Sequence, residues 1–395
     1  MVKRNNYLED LINFKDKNLI KVVTGIRRCG KSTMFELYQE YLVQNGISSQ
    51  QIISVNLEDG DYRNIRTAEK LYEYVNEKLI TDRTNYVFLD EVQQVESFQE
   101  AVDWLYVKKN VDLYITGSNA YLLSGELATL LSGRYVEIKM LPLSFKEYIS
   151  AFPENSNTQQ LYMNYLTNSS FPGTLELNRK QDIRVYLEGI YNTILLKDIV
   201  TRKRISDSSM LESVVEFMFD NIGNLCSVNK IANAMTSAGR KISVPTVESY
   251  LSALTDCYIL YKVGRYDIKG KQYLATGAKY YVADIGLRYF LLGSRQRDIG
   301  HILENVVYLE LIRRGYEVYV GKVGEAEVDF IAVNSEGEEY YQVSQSVMDE
   351  GTLKRELSSL EAIKDHNPKY LLTMDYTPLT SYNGIKQMNV LEWLL

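Results

Sequence analysis

The sequence predicts an α/β protein built on a parallel sheet, and three observations support that fold class. Short apolar runs alternate with amphipathic stretches of helical period through the first 150 residues. The first run leads into Gly25-Ile26-Arg27-Arg28-Cys29-Gly30-Lys31-Ser32, which fits G-x-x-x-x-G-K-[ST] at every specified position. Tyr86 to Leu89 is apolar throughout and ends in Asp90-Glu91. An unbroken apolar run belongs to a strand covered on both faces, as in a parallel sheet.

At 395 residues the chain is long for one core, so two or more domains are expected. Apolar residues make up 45% and charged residues 24%, ordinary globular usage; the 32 tyrosines stand out. No run approaches the roughly 18 apolar residues of a membrane span, and the polar start lacks the apolar centre of a leader. Cys29, Cys226 and Cys257 are far apart and odd in number, which predicts reduced thiols in a cytoplasmic protein. Net charge is −7, unevenly spread: −1 over residues 1–204, +2 over 205–300 and −8 over 301–395. A non-specific nucleic-acid coat needs a basic surface, so any DNA contact is expected in the middle segment.

Leu8, Leu11, Ile12 and Phe14 mark a short amphipathic helix, and Leu19 to Val23 a strand. Glycines let the following loop turn its N–H groups around a phosphate, and a helix opening near Lys31 adds its positive dipole end. Gly25, Ile26, Arg27, Arg28, Cys29, Gly30, Lys31, Ser32 and Thr33 are therefore the expected contacts of a nucleoside triphosphate. Lys31 reaches for the outer phosphates, and the Ser32 hydroxyl for magnesium. The helix runs on through Phe35, Tyr38 and Leu42 to about Gly46. Ile52 to Leu57 is a second strand followed by Glu58-Asp59, an acid pair read equally well as a neighbour of the nucleotide or as a solvated turn. Leu71, Tyr74, Val75 and Leu79 mark the next helix. Two carboxylates closing the apolar run at Leu89 call for a cation, so Asp90 is assigned to magnesium and Glu91 to the attacking water. After a helix through Phe98, Val102 and Leu105, strand 111–119 ends in the polar run Thr116 to Asn119, and Arg134 precedes a strand from Val136 to Met140.

The runs TGIRRCGKST, YVFLDE and TGSNAYLLSGELATLLSGRYVEIKMLPLSFKEY closely resemble a group of prokaryotic AAA+ ATPases that carry a C-terminal region of unknown function. The resemblance is strongest over residues 20–150. It implies that Ser118 or Asn119 is the first sensor of the γ-phosphate and Arg134 an arginine finger, which requires a homo-oligomer if it acts on a neighbour's nucleotide.

Residues 1–153 are thus expected to form the P-loop ATPase domain and 154–204 a helical connector, with Phe171-Pro172-Gly173 as a hinge and a basic run from Lys197 to Arg204. Residues 205–295 read as three helices and a hairpin, the outline of a winged helix. Its third helix is thin in base-reading side chains, while Arg240, Lys241, Arg265, Lys269 and Lys271 are candidate phosphate contacts for duplex DNA. Residues 296–395 are similar to a PD-(D/E)xK nuclease core, an α/β domain. The match places Glu304, Asp329 and Gln342 at the metal-holding positions and Ser344 where a lysine belongs. Serine supplies no positive charge, so nuclease chemistry is expected to be lost. The reading is an ATPase that couples magnesium-dependent hydrolysis to change in its C-terminal half, DNA-associated through the winged helix. The rival is a slow nucleotide switch whose C-terminal half binds a protein partner and no DNA.

Overall fold

A computed structural model describes residues 2–118, 120, 131, 133–200, 205–293, 299–376 and 380–395. Two compact units emerge: Met1–Pro142 with Asp256–Tyr258, and Leu143–Thr255 with Ile259–Leu395.

The first unit opens with α1 (Asn5–Asn13), then β1 (Ile20–Thr24) and α2 (Lys31–Gln44). Next come β2 (Ile52–Asn56), α3 (Ala68–Lys78), β3 (Asn85–Asp90), α4 (Phe98–Tyr106), β4 (Val111–Gly117) and β5 (Tyr135–Lys139). The five strands form one parallel sheet in the order β2-β3-β4-β1-β5. Every residue of β1 and β3 is buried, as their apolar runs require. Val87 and Leu89 face a core completed by Leu71 and Val75 of α3 and Val102 and Leu105 of α4. The other face is aromatic. Phe88 stacks on Tyr114 at 4.7 Å, and Phe35 and Tyr38 of α2 close over Phe88 edge-on. Lys21, fully buried in β1, pairs with Asp112, which also accepts from the Tyr114 hydroxyl at 2.8 Å.

The second unit begins at Leu143, ahead of the boundary expected at 153. Leu143 donates its N–H to the Ser170 carbonyl, and Phe145 packs its ring on Tyr162 and Tyr165. Those contacts bring α5 (Phe145–Ile149) together with α6 (Thr158–Asn168). Phe171 is fully buried and Ser170 donates twice to Asp284, at 2.7 Å and 2.6 Å, so the expected hinge is an anchored turn. α7 (Lys180–Asn192) runs into a π-helical stretch, Thr193–Val200; the arginines and lysine of the basic run at 202–204 lie outside the described residues.

Three helices follow as the sequence predicts: α8 (Ser208–Asp220), α9 (Val228–Ser237) and α10 (Val244–Asp256). The hairpin is β6 (Leu260–Asp267) and β7 (Gln272–Val282). After α11 (Ile285–Leu292) and α12 (Ile299–Arg313) come β8 (Glu317–Val323), β9 (Ala326–Asn334) and β10 (Gly337–Ser344). The chain closes with α13 (Glu350–Glu361), β11 (Lys369–Thr373), β12 (Thr380–Tyr382), β13 (Ile385–Asn389) and α14 (Val390–Leu394). All eight strands belong to one mixed sheet, β12-β13-β11-β10-β9-β8-β6-β7. The hairpin is therefore continuous with the C-terminal strands, because Arg265, Tyr266 and Asp267 pair in parallel with Val320, Gly321 and Lys322. Among the described residues no helix is long and apolar enough to cross a membrane.

Candidate nucleotide-binding site

The carboxyl ends of three adjacent strands meet where the glycine loop begins. Thr24 pairs with Gly117, Val23 with Thr116, and Leu89 with Ile115, so Gly25, Glu91 and Ser118 emerge side by side. Ligands of open α/β sheets bind outside this edge, where neighbouring connections diverge.

The loop is shaped by backbone that favours glycine. Gly25 has φ +144°, and a Cβ there would lie 2.1 Å from the Met140 carbonyl oxygen. Gly30 is left-handed at φ 105° and starts α2 with no capping side chain, leaving the helix's first N–H groups for an anion. Lys31 is 4% exposed and donates to the Gly25 and Ile26 carbonyls at 3.0 Å and 3.3 Å. Its ammonium lies 3.8 Å from Glu91 Oε1. A buried ammonium folded back on its own loop is poised for a group richer in negative oxygen. Ser32 is exposed on the first turn of α2. Arg27 pairs with Glu58 at 3.0 Å, so that acid braces the loop, whereas Asp59 accepts from the Asp61 N–H to start the next turn.

Asp90 and Glu91 are both nearly buried and both rest on Thr116. The Thr116 hydroxyl donates to Asp90 Oδ1 and accepts the Glu91 N–H, the latter at 2.8 Å. Glu91 is left-handed at φ 53°, a conformation costing a non-glycine residue on the order of 1 kcal/mol unless its surroundings hold it. The Gln93 amide donates to Glu91 Oε2 and, at 3.3 Å, to the buried Ser118 hydroxyl. One hydroxyl and one amide thus fix both carboxylates and tie them to the β4 tip. Ser32 and Asp90 would offer magnesium a hydroxyl and a carboxylate oxygen, the hard donors it prefers.

Arg4 is a part of the site that no sequence motif marks. It is buried and donates to the Cys29 carbonyl at 2.8 Å and to the Leu141 and Pro142 carbonyls at 2.8 Å and 3.2 Å. The residue before α1 therefore clamps the glycine loop from behind. Cys29 is fully buried against the Met140 carbonyl; burial pushes its thiol up, as befits a packing residue rather than a nucleophile. Arg134 is not brought to this edge. Its carbonyl accepts the Ile20 N–H at the amino end of β1, and its guanidinium pairs with Asp103 at 2.7 Å and lies over Tyr106. Asn119 lies outside the described residues.

In the second unit Glu304 and Asp329 do converge, around a residue the sequence reading left in the hairpin. Lys279 donates to Glu304 at 2.7 Å, pairs with Glu327 at 2.9 Å, and stands 3.6 Å from Asp329. Gln342 turns elsewhere: its amide donates to Glu356 at 2.8 Å, and its oxygen accepts the Asp329 N–H and the Ser359 hydroxyl. Ser344 donates to the Ser346 carbonyl.

Residues 17–149 match the family described as AAA domain, and 159–298 match a domain of unknown function. The chain is 42% identical to an uncharacterized protein of Haemophilus influenzae, covering 100% of this chain and 99% of that one. A second relative, from Methanocaldococcus jannaschii, is 31% identical over 88% of this chain and 79% of its own. Among solved structures, the Walker-type ATPase of Pyrococcus abyssi aligns with TM-score 0.51 at 16% identity, over 74% of this chain and 96% of that one.

Proposed function

We propose, from the premise that this chain belongs to the prokaryotic AAA+ P-loop ATPases carrying a domain of unknown function after the ATPase, that it binds and hydrolyses ATP with magnesium. The observation that carries this reading is the Lys31–Glu91–Thr116–Asp90 constellation at the strand edge. Lys31 exchanges its two loop carbonyls for the outer phosphates. Ser32 and Asp90 hold magnesium, which supplies charge neutralisation on the phosphates. Glu91, kept in its left-handed turn, orients and polarises the attacking water. Gln93 joins that carboxylate to Ser118, so a hydroxyl sensing the γ-phosphate moves the water-orienting group with it. Arg134, at the opposite end of the sheet, serves a nucleotide on a neighbouring copy, which makes turnover dependent on a homo-oligomer.

Hydrolysis is coupled to a conformational change in the second unit, whose three helices and hairpin serve as a winged helix on duplex DNA. Lys269 and Lys271 support this, in a hairpin loop held by Asp267, which accepts the N–H groups of Lys269 and Gly270 at 3.0 Å each. A second reading has the −8 charge of residues 301–395 in its favour: a slow nucleotide switch with a protein partner and no DNA role. Steady-state ATP turnover with and without duplex DNA, at low and moderate salt, separates the two, with Lys31→Ala as the blank. Stimulation that fades with salt supports the DNA-coupled ATPase. Turnover indifferent to DNA supports the switch.

A further inference from the structure

The acid cluster of the C-terminal sheet already contains a cation of its own. Lys279 of β7 is 3% exposed and lies among three carboxylates from α12 and β9. Glu304 is satisfied at both oxygens: Oε1 accepts from Lys279 and the Tyr281 hydroxyl, and Oε2 lies 3.3 Å from His301 Nδ1. Asp329 Oδ2 accepts the Val343 N–H at 2.9 Å. Two buried carboxylates this close require compensation, since each desolvated charge costs several kcal/mol.

The remaining member of the expected metal set has left it. Gln342 is neutral where a carboxylate would stand, and its amide is committed to Glu356. Ser344 bonds the backbone two residues on. A divalent ion entering between Glu304 and Asp329 would need oxygens that Lys279 already engages, and would meet a positive charge within a few ångströms in a poorly screened interior.

We propose that Lys279 is the resident cation of this cluster, its ammonium occupying the place of a divalent metal ion between Glu304 and Asp329. The second unit thereby keeps the framework of a metal-dependent phosphodiesterase while excluding the metal. Lysine suits the role because its ammonium is a compact point charge with three donors, enough for Glu304, Glu327 and Asp329 together. The proposal is independent of the nucleotide site.

The test is manganese binding by the nucleotide-free full chain, read as loss of the free-ion electron paramagnetic resonance signal. The wild type is expected to show no site sensitive to Asp329→Asn. Lys279→Met is expected to gain one Mn2+ per chain, at least tenfold tighter than any wild-type binding, and to lose it again in Lys279→Met/Asp329→Asn. Lys279→Arg, which keeps the charge, is expected to behave as wild type. If Lys279→Met folds poorly, Mn2+ is expected to raise its thermal midpoint while leaving the wild type unmoved. A wild-type Mn2+ site abolished by Asp329→Asn would overturn the proposal. So would a folded Lys279→Met that binds no ion, a poorly folded one that Mn2+ fails to stabilise, or magnesium-dependent nicking of plasmid DNA that Asp329→Asn removes.

Discussion

Replacing Thr116 by valine isolates the hydroxyl that holds the Asp90 carboxylate and the Glu91 backbone of the nucleotide site. The two side chains are nearly isosteric, so no cavity opens. What is lost is one hydroxyl that donates to Asp90 and accepts the Glu91 N–H at 2.8 Å, all within buried surroundings. A hydrogen bond to a charged group contributes about 1.5–3 kcal/mol, and a stranded buried N–H costs about 1–3 kcal/mol. The sum is about 2.5–6 kcal/mol, which for a unit of this size lowers the melting midpoint by roughly 5–24 °C. Trp104, in α4 of the same unit, reports that transition by fluorescence in a Trp393→Phe background. Without the bond, Glu91 is free to leave its left-handed turn, so ATP turnover is expected to fall roughly 10- to 100-fold, the penalty of a misplaced catalytic group. Binding of a fluorescent ATP analogue is expected to persist, because Lys31 and the loop are untouched. Thr116→Ser keeps the hydroxyl and is expected to stay near wild type in both assays. If Thr116→Val melts within about 2 °C of wild type and turns over at the wild-type rate, Thr116 does not hold Asp90 and the Glu91 turn in place.

Three further outcomes are expected. Arg4→Met removes the donor to the Cys29, Leu141 and Pro142 carbonyls; loosening the loop should weaken ATP-analogue binding about tenfold, roughly 1.4 kcal/mol, in a fluorescence titration. Lys21→Met strands the buried Asp112 carboxylate and should destabilise the first unit by about 3–5 kcal/mol in urea unfolding, with Lys21→Met/Asp112→Asn recovering much of the loss. Burial and the neighbouring Glu304 push Asp329 up to about 7, against an ordinary 3.8, with Lys279 opposing and Glu356 adding to the rise. The native state therefore holds a proton that the unfolded chain releases across that window, so stability falls as pH rises from about 4 to about 7 and levels off above. His301, also raised, acts in the same direction. Asp329→Asn should remove on the order of 1 kcal/mol per pH unit from that slope, followed through Trp393 in urea titrations at pH 5 to 8.

Much of the first unit was legible because its chemistry is local in sequence. The glycine loop, the strand before it and the helix after it are contiguous, and Asp90 and Glu91 follow directly from the apolar run they cap. What escaped the sequence reading were contacts that only folding creates. Arg4 looked like part of a polar lead, yet it reaches a carbonyl 137 residues away. Lys279 sits in a strand of the hairpin and meets Glu304 only because the hairpin joins the C-terminal sheet, a pairing that no local pattern announces. The hairpin pattern itself was read well; its parallel partner β8 was not, since parallel neighbours are joined by long crossovers. The many tyrosines acquire a physical account in the same way. Tyr114 and Tyr281 bury their rings and direct their hydroxyls to Asp112 and Glu304, giving buried acids a donor without another charge. Arg134 was legible as an arginine ahead of a strand, but its position at the amino end of the sheet is a matter of topology.

Glu91→Gln tests the central claim most directly, with ATP bound per chain and phosphate released measured on the same sample in magnesium. The variant keeps the loop, Lys31, Ser32 and Asp90, and loses only the charge that orients water. It is expected to hold close to one ATP per chain and release almost no phosphate, while Lys31→Ala binds none and the wild type turns over. Wild-type phosphate release by Glu91→Gln, or full ATP binding by Lys31→Ala, would contradict the assignment of this strand edge as the site of ATP hydrolysis.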